Sequence, residues 1–284
     1  IVSVDARSGP VATSEDAIAE LEEVVGMSLS PQPRVQLIYD ALVNTPTIQT
    51  AFEEVGTTDE PLNGERANVR GRETNLGRLA ADSTLWYARQ QFPELGVDVA
   101  LKNGGGIRAS ITGPSVTRLT IETALAFNNK TAVVELTGDE LLAAMENAVS
   151  RVPAADGRFP QIAGMHLEYS AANPGIQNQT SVTEPSRVQM LRVTYDDGST
   201  DTLVRNGQVQ GNLSERRIVL ATNDFLLTGG DGYRMLQAAS EERGAERTEI
   251  GEQQVLVEYI TSALDGSVDM PDPPANPRVI RLDE

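Results

Sequence analysis

The sequence predicts an α/β chain of the α+β type built on a mixed sheet, and three observations carry that prediction. Helix-like and strand-like periodicities are interspersed along the chain without a strict βαβ rhythm. One segment, Arg187–Tyr195 followed by Asp201–Arg205 about the turn Asp196-Asp197-Gly198, has the pattern of an antiparallel hairpin. The 284 residues, 39% apolar and 23% charged, have an ordinary globular composition, and no run reaches the roughly 18 apolar residues of a membrane helix.

Residues 1 to about 33 read as a short strand and a connector punctuated by Ser and Pro, with a helical pattern over Ser14–Val25. The first residues, Ile1-Val2-Ser3-Val4-Asp5, carry neither an initiator Met nor a signal pattern, which points to a processed protein or a piece of a longer chain. Val35, Ile38, Leu42, Ile48 and Phe52 keep helical spacing, with an interruption expected near Pro46. Leu76, Leu79, Ala80, Trp86 and Tyr87 predict a second helix whose first turn holds Asn75. Val97–Leu101 alternates as a buried strand does and delivers its end to Asn103-Gly104-Gly105-Gly106-Ile107-Arg108. Thr137 and Glu140 have capping-box spacing ahead of LLAAMENAV, so a helix starts there. Further strands are expected at Ala132–Leu136, His166–Tyr169 and Arg217–Ala221, then a closing helix near Gln253–Leu264 and an extended Pro-rich tail.

Composition removes several chemistries. A formal charge of −18 argues against a nucleic-acid polymer as partner, because affinity for polyphosphate needs basic surface. Any anion must be caught by a local arginine cluster, and only two of the 23 basic residues, Lys102 and Lys130, are lysines. With no cysteine there is no disulfide, thiolate zinc site or thiol nucleophile. His166 is the sole histidine, so a Ser-His-Asp triad and a His-rich dinuclear centre lack parts, and its alternating position in GMHLEYS favours a structural strand residue. The 41 acidic residues leave an all-carboxylate Mg²⁺ or Ca²⁺ site open, without EF-hand spacing. Hydrolysis by this chain alone is not expected.

Three features suit binding, each with a plainer alternative. Glycines 104–106 allow either a positive-φ turn or close backbone approach to a ligand. A second cluster, in ATNDFLLTGGDGYRML, follows a strand and places Phe225 six positions before Asp231; a turn with Phe225 in the core fits equally. Arg66, Arg70 and Arg72 in ERANVRGRETNLG make either an anion site or a solvated charged face.

Together the motifs say more. VRGRETNLGRLAADS, LKNGGGIR, ALAFNNK with ELTGDELL, and NDFLLTGGDGY, in this order across residues 55 to 264, closely resemble the C-terminal domain of the 5′-nucleotidase and UDP-sugar hydrolase family. The resemblance implies a layered fold with helices outside the mixed sheets, residues 35–284 as the domain and 1–34 as the end of an upstream domain and linker. It further implies a substrate-binding module for nucleotides or nucleosides. Its partner would be an N-terminal metallophosphoesterase domain of the same polypeptide that holds two divalent metal ions; no cofactor is implied in this chain. The family's Asp-x-His and Gly-Asn-His-Glu metal motifs are not in this sequence. A secreted, periplasmic or cell-surface location is implied as well.

Carried over by motif, Arg66, Arg70 and Arg108 would bind phosphate, Phe127 and Phe225 would sandwich the base, and Asp231 would accept from the ribose hydroxyls. Asn103 and Asn129 would lie near the nucleoside, with Gly229 and Gly230 leaving room for the sugar. Guanidinium forks suit phosphate oxygens, and stacking tolerates any base. One departure stands out: where the family writes Pro-Phe-Gly-Asn, this chain has Ala126-Phe127-Asn128-Asn129, and Asn128 must take the left-handed turn. Other readings left open are a non-catalytic nucleoside-binding or cell-surface interaction module, and the substrate domain of a UDP-sugar hydrolase or cyclic nucleotide phosphodiesterase.

Overall fold

The computed structural model describes residues 45–283, which divide between Phe52 and Glu53 into two units. In the first unit the description is confined to helix α1 (Pro46–Ala51). Pro46 opens this helix, where its missing N–H is no loss. The expected segments before residue 45, including the boundary at 34, lie outside the described residues.

The second unit holds three mixed sheets. In chain order its strands are β1 (Glu54–Thr58), β2 (Val99–Asn103), β3 (Ser115–Thr117), β4 (Lys130–Thr137), β5 (Pro160–Ala163), β6 (Met165–Tyr169) and β7 (Val188–Thr194). They continue with β8 (Thr200–Arg205), β9 (Gln208–Val209), β10 (Arg217–Asn223), β11 (Glu246–Gly251), β12 (Ser267–Val268) and β13 (Val279–Arg281). The helices are α2 (Arg66–Val69), α3 (Asn75–Gln91), α4 (Arg118–Ala124), α5 (Gly138–Val149), α6 (Asp224–Leu227), α7 (Arg234–Arg243) and α8 (Glu252–Ser262). The strand orders are β12-β1-β3, β11-β4-β10-β2-β5 and β13-β6-β7-β8-β9.

The central sheet is buried on both faces. Val99 and Leu101 of β2 join Leu141, Met145, Leu191 and Leu236 in a core shared with α5, α7 and the third sheet, while Ala100 between them faces Ala81 and Ala88 of α3. Every residue of β2 is therefore buried, and the strand sits two residues later than the alternation suggested. The capping box at Thr137 forms as expected, with Glu140 N–H donating to Thr137 Oγ1 and Thr137 N–H to Glu140 Oε2. The Pro-rich tail is more than extended coil. Its strand β13 adds parallel to β6, and Arg278 pairs with Asp82 while donating its N–H to Glu73.

Register sets up the site. β10 and β2 are parallel, so both deliver their C-terminal residues, Asn223 and Asn103, to one edge of the central sheet. The antiparallel strands begin there: Asn223 pairs with Thr131 at the start of β4, and Asn103 with Pro160 at the start of β5. Gly251, which leads into α8, pairs with Lys130. Loops from five distant stretches thus emerge together outside the carboxyl ends of two parallel strands, the usual place for a ligand in such sheets.

Candidate functional site

At that edge a cleft of about 380 Å³ lies among Arg70, Asn103, Gly105, Gly106, Arg108, Phe127, Asn129, Asp156, Gly157, Phe225 and Asp231. Its size suits a small-molecule ligand.

The glycine loop explains how Arg70 reaches it. Gly104–Gly106 make one 3-10 turn without positive φ, so left-handed freedom is not their purpose. A Cβ on Gly104 would stand 1.9 Å from the Val69 carbonyl oxygen, and one on Gly105 2.9 Å from Gly157 Cα. Gly104 and Gly105 N–H groups donate to the Phe159 and Gly157 carbonyls at 2.8 Å. From β5, Gln161 Nε2 donates to the Val69 and Arg72 carbonyls at 3.1 and 2.8 Å. The turn at the end of α2 is thereby pinned against the glycine loop, and Arg70 follows it into the cleft.

Arg70 is 7% exposed, and its buried Nε has no hydrogen-bond partner among the described residues. Burial lowers its guanidinium from the ordinary value, and the like charges of Arg66 and Arg108 lower it further, against the opposing pull of Asp231 and Asp156. Arg66 is exposed at the start of α2 and belongs to this cationic cluster electrostatically, although it is not among the residues that line the cleft. Arg72 turns away. It makes a two-pronged pair with Asp272 at 2.9 and 2.7 Å, which replaces the free surface charge the sequence suggested.

Phe127 and Phe225 stand 60% and 43% exposed on the cleft, so Phe225 is not a core residue. The Arg108 guanidinium lies 5.5 Å from the Phe127 ring centroid, within cation–π range. Asn128 takes the left-handed conformation at φ 49, as the substitution for glycine requires. Gly230 has its own reason to be glycine, since a Cβ there would fall 2.5 Å from the Phe225 ring. Gly229 is left-handed at φ 86 and starts the turn that carries Asp231. Neither lines the cleft; both support the residues that do.

Asp231 is held by amides. Asn223 caps α6 by accepting from Leu226 N–H, and its Nδ2 donates to Asn103 Oδ1 at 3.1 Å. Asn103 Nδ2 in turn donates to Asp231 Oδ2 at 2.6 Å, so both ends of the Asn103 amide are engaged in aiming Asp231. Asn147 Nδ2 donates to the Asp231 carbonyl at 3.2 Å. Asp231 has φ 52, a conformation its short side chain tolerates.

Four contributors escaped the sequence reading: Asp156 and Gly157 in the lining, and Asn147 and Asn223 behind Asp231. Burial acts to raise Asp156, but hydrogen bonds from the Arg158 N–H and guanidinium outweigh it and hold the carboxyl below its ordinary range. Its Asp-Gly-Arg context signals a turn and nothing more. His166 lies apart from the cleft, half-buried, with Nε2 3.0 Å from Glu168 Oε1. The cleft therefore carries a cationic cluster, two exposed aromatic rings and two carboxylates. Among the described residues no group of three His, Cys, Asp or Glu side chains is placed to hold a metal ion.

The family model "5′-nucleotidase, C-terminal domain" matches residues 54–238. The trifunctional nucleotide phosphoesterase protein YfkN of Bacillus subtilis (strain 168) is 34% identical over 189 residues, which cover 66% of this chain and 11% of that protein. A 5′-nucleotidase of Bos taurus is 28% identical over 192 residues, 65% of this chain and 31% of the relative. The crystal structure of a 5′-nucleotidase precursor from Thermus thermophilus is similar at a TM-score of 0.71 and 29% identity, over 90% of this chain and 44% of that one. The chain thus spans less than half the length of each.

Proposed function

This chain belongs to the 5′-nucleotidase C-terminal domain family, and from that premise we propose that it is the nucleotide-binding domain of a 5′-nucleotidase-type phosphohydrolase. The observation that carries the reading is Arg70: a buried guanidinium whose Nε has no hydrogen-bond partner among the described residues, crowded by two further arginines in a protein of net charge −18. Burying a guanidinium N–H without an acceptor is costly, and an anionic ligand supplies what it lacks. A phosphate group fits, since Arg70 and Arg108 line the cleft and offer forks to its oxygens, while Arg66 adds positive charge nearby.

In this reading Phe127 and Phe225 clamp the base, and Asp231, aimed by Asn103, accepts from the ribose hydroxyls. Asn129 stands beside the base. Stacking on two rings favours broad nucleotide acceptance, because every base offers a π face. Phosphate-ester hydrolysis belongs to the parent protein, at two divalent metal ions held by a metallophosphoesterase domain of the same polypeptide. The described residues do not fit those ions, and what this chain contributes is capture and orientation. Release outside the cytoplasm, to the periplasm, the cell surface or the medium, completes the proposal; no helix among the described residues is long and apolar enough to cross a membrane.

Calorimetric titration with adenosine and AMP tests it. Phe225→Ala is expected to weaken adenosine by about 1–3 kcal/mol, the worth of one stacked base. Arg108→Ala is expected to spare adenosine and remove the advantage of AMP over it. A wild-type chain that binds neither ligand at millimolar concentration overturns the reading.

A further inference from the structure

Lys102 and Glu252 are each 3% exposed and form a buried ion pair, Lys102 Nζ to Glu252 Oε2, that the nucleotide site as described above does not use. They come from different elements, Lys102 from β2 and Glu252 from the first turn of α8. Both ends of this pair touch the cleft's framework. Lys102 directly precedes Asn103, whose amide aims Asp231. Glu252 holds both backbone groups of Asn129: its Oε1 accepts from Asn129 N–H at 3.2 Å, and its own N–H donates to the Asn129 carbonyl at 2.9 Å. The next residue repeats the attachment, since Gln253 N–H donates to Asn128 Oδ1 at 3.3 Å and Gln253 Nε2 to the Leu125 carbonyl at 3.0 Å. The loop that presents Phe127 to solvent is therefore fastened from beneath to the start of α8.

An ion pair so deeply buried is poor evidence for added stability, because desolvating the two charges offsets most of their attraction. What it supplies is a fixed geometry. We propose that Lys102 and Glu252 are positioning residues that tie the Phe127 loop to the strand end carrying Asn103, and so set the ring's place relative to Asp231. The inference rests on the nucleotide-binding reading and adds to it a determinant of base affinity that does not touch the ligand. A preset ring saves the ordering that a mobile loop would undergo on binding.

The test compares two double variants of the full chain, each free of a lone buried charge. Lys102→Met with Glu252→Leu removes the acceptor for Asn129 N–H; Lys102→Met with Glu252→Gln restores it. Calorimetry with adenosine and with ribose 5-phosphate separates base from phosphate binding. Adenosine affinity is expected to fall about tenfold in the Leu form, a loss within the worth of one stacked base, and to recover only in part in the Gln form, which regains the Asn129 acceptor without the tie to Lys102; full recovery there overturns the role of Lys102. Ribose 5-phosphate should bind all three proteins alike, which a general loss of folding would not allow. Equal adenosine affinity in the Leu form and wild type overturns the inference alone, whereas a wild type that ignores adenosine overturns the nucleotide reading with it. Amide exchange in the wild type gives a second readout that needs no variant. Asn129 N–H should exchange far more slowly than an amide of an unstructured chain, and exchange at the unstructured rate overturns the tether.

Discussion

At the scale of the residue, the site is a set of groups kept in states they would not choose alone. Arg70 is the clearest case, buried beside Arg66 and Arg108 with its Nε lacking a hydrogen bond among the described residues. Such a group is retained for what it binds, so Arg70→Met is expected to stabilise the free chain by about 1 kcal/mol while removing the advantage of AMP over adenosine. Thermal melting and calorimetry on the same preparation check both halves, and a destabilised variant would contradict the account. The residue types that line the cleft were legible in the sequence where they sat in dense motifs, as Arg108, Phe127, Phe225 and Asp231 do. Asp156 and Gly157 were not, because an Asp-Gly pair marks a turn in any protein and only the register of β5 against β2 brings this one to the cleft. Asn103 was found as a cleft residue, but its bridge between Asn223 and Asp231 was not, because both partners lie more than 100 residues away in sequence.

At the scale of the element, strength of local signal decided what could be foreseen. The helix α5 was legible to the residue because a capping box is a local hydrogen-bond pattern, complete within four residues. Strands β1, β3, β5, β9, β11, β12 and β13 were not foreseen; they are short, and all but β9 pair with strands far away in sequence. The glycine loop was legible as a loop, but not for its reason. Gly104 is fixed by the Val69 carbonyl and not by a left-handed backbone, so Gly104→Ala must push away the turn that carries Arg70. That substitution is expected to cost about 1–3 kcal/mol, as overpacking does, and to weaken AMP more than adenosine. Denaturant unfolding and calorimetry measure the two effects; a variant with unchanged AMP affinity would separate the glycine loop from the position of Arg70.

At the scale of the whole molecule, the C-terminal segment closes the second unit by charge as well as by β13. Asp272 receives the Arg72 fork, and Arg278 pairs with Asp82. Burial acts to raise Asp272, but the hydrogen bonds from Arg72 and Asn63 outweigh it and hold the carboxyl below its ordinary range. A carboxyl lowered on folding stabilises the native state above its unfolded pKa, and that contribution disappears as pH falls through the folded value. The window therefore lies below about pH 4, the ordinary aspartate range. The Tm gap between wild type and Asp272→Asn is expected to be widest at neutral pH and to shrink on acidification through that window. A gap independent of pH would show that the ion pair is not the source of the difference.

By itself the sequence determined the class of fold, the family and the chemistry available: arginines for an anion, two aromatics for a ring, a carboxylate after a glycine turn, and no thiol or histidine cluster for catalysis. Those are properties of residue type and short-range order, and they survive without coordinates. Only the tertiary structure decided which of them meet. The parallel pairing of β2 with β10, and the antiparallel pairing of β4 and β5 against them, place at one sheet edge loops that are more than 100 residues apart, such as those following Asn103 and Asn223. Strand register is a long-range choice made by packing both faces of the central sheet, and no local pattern in the chain encodes it.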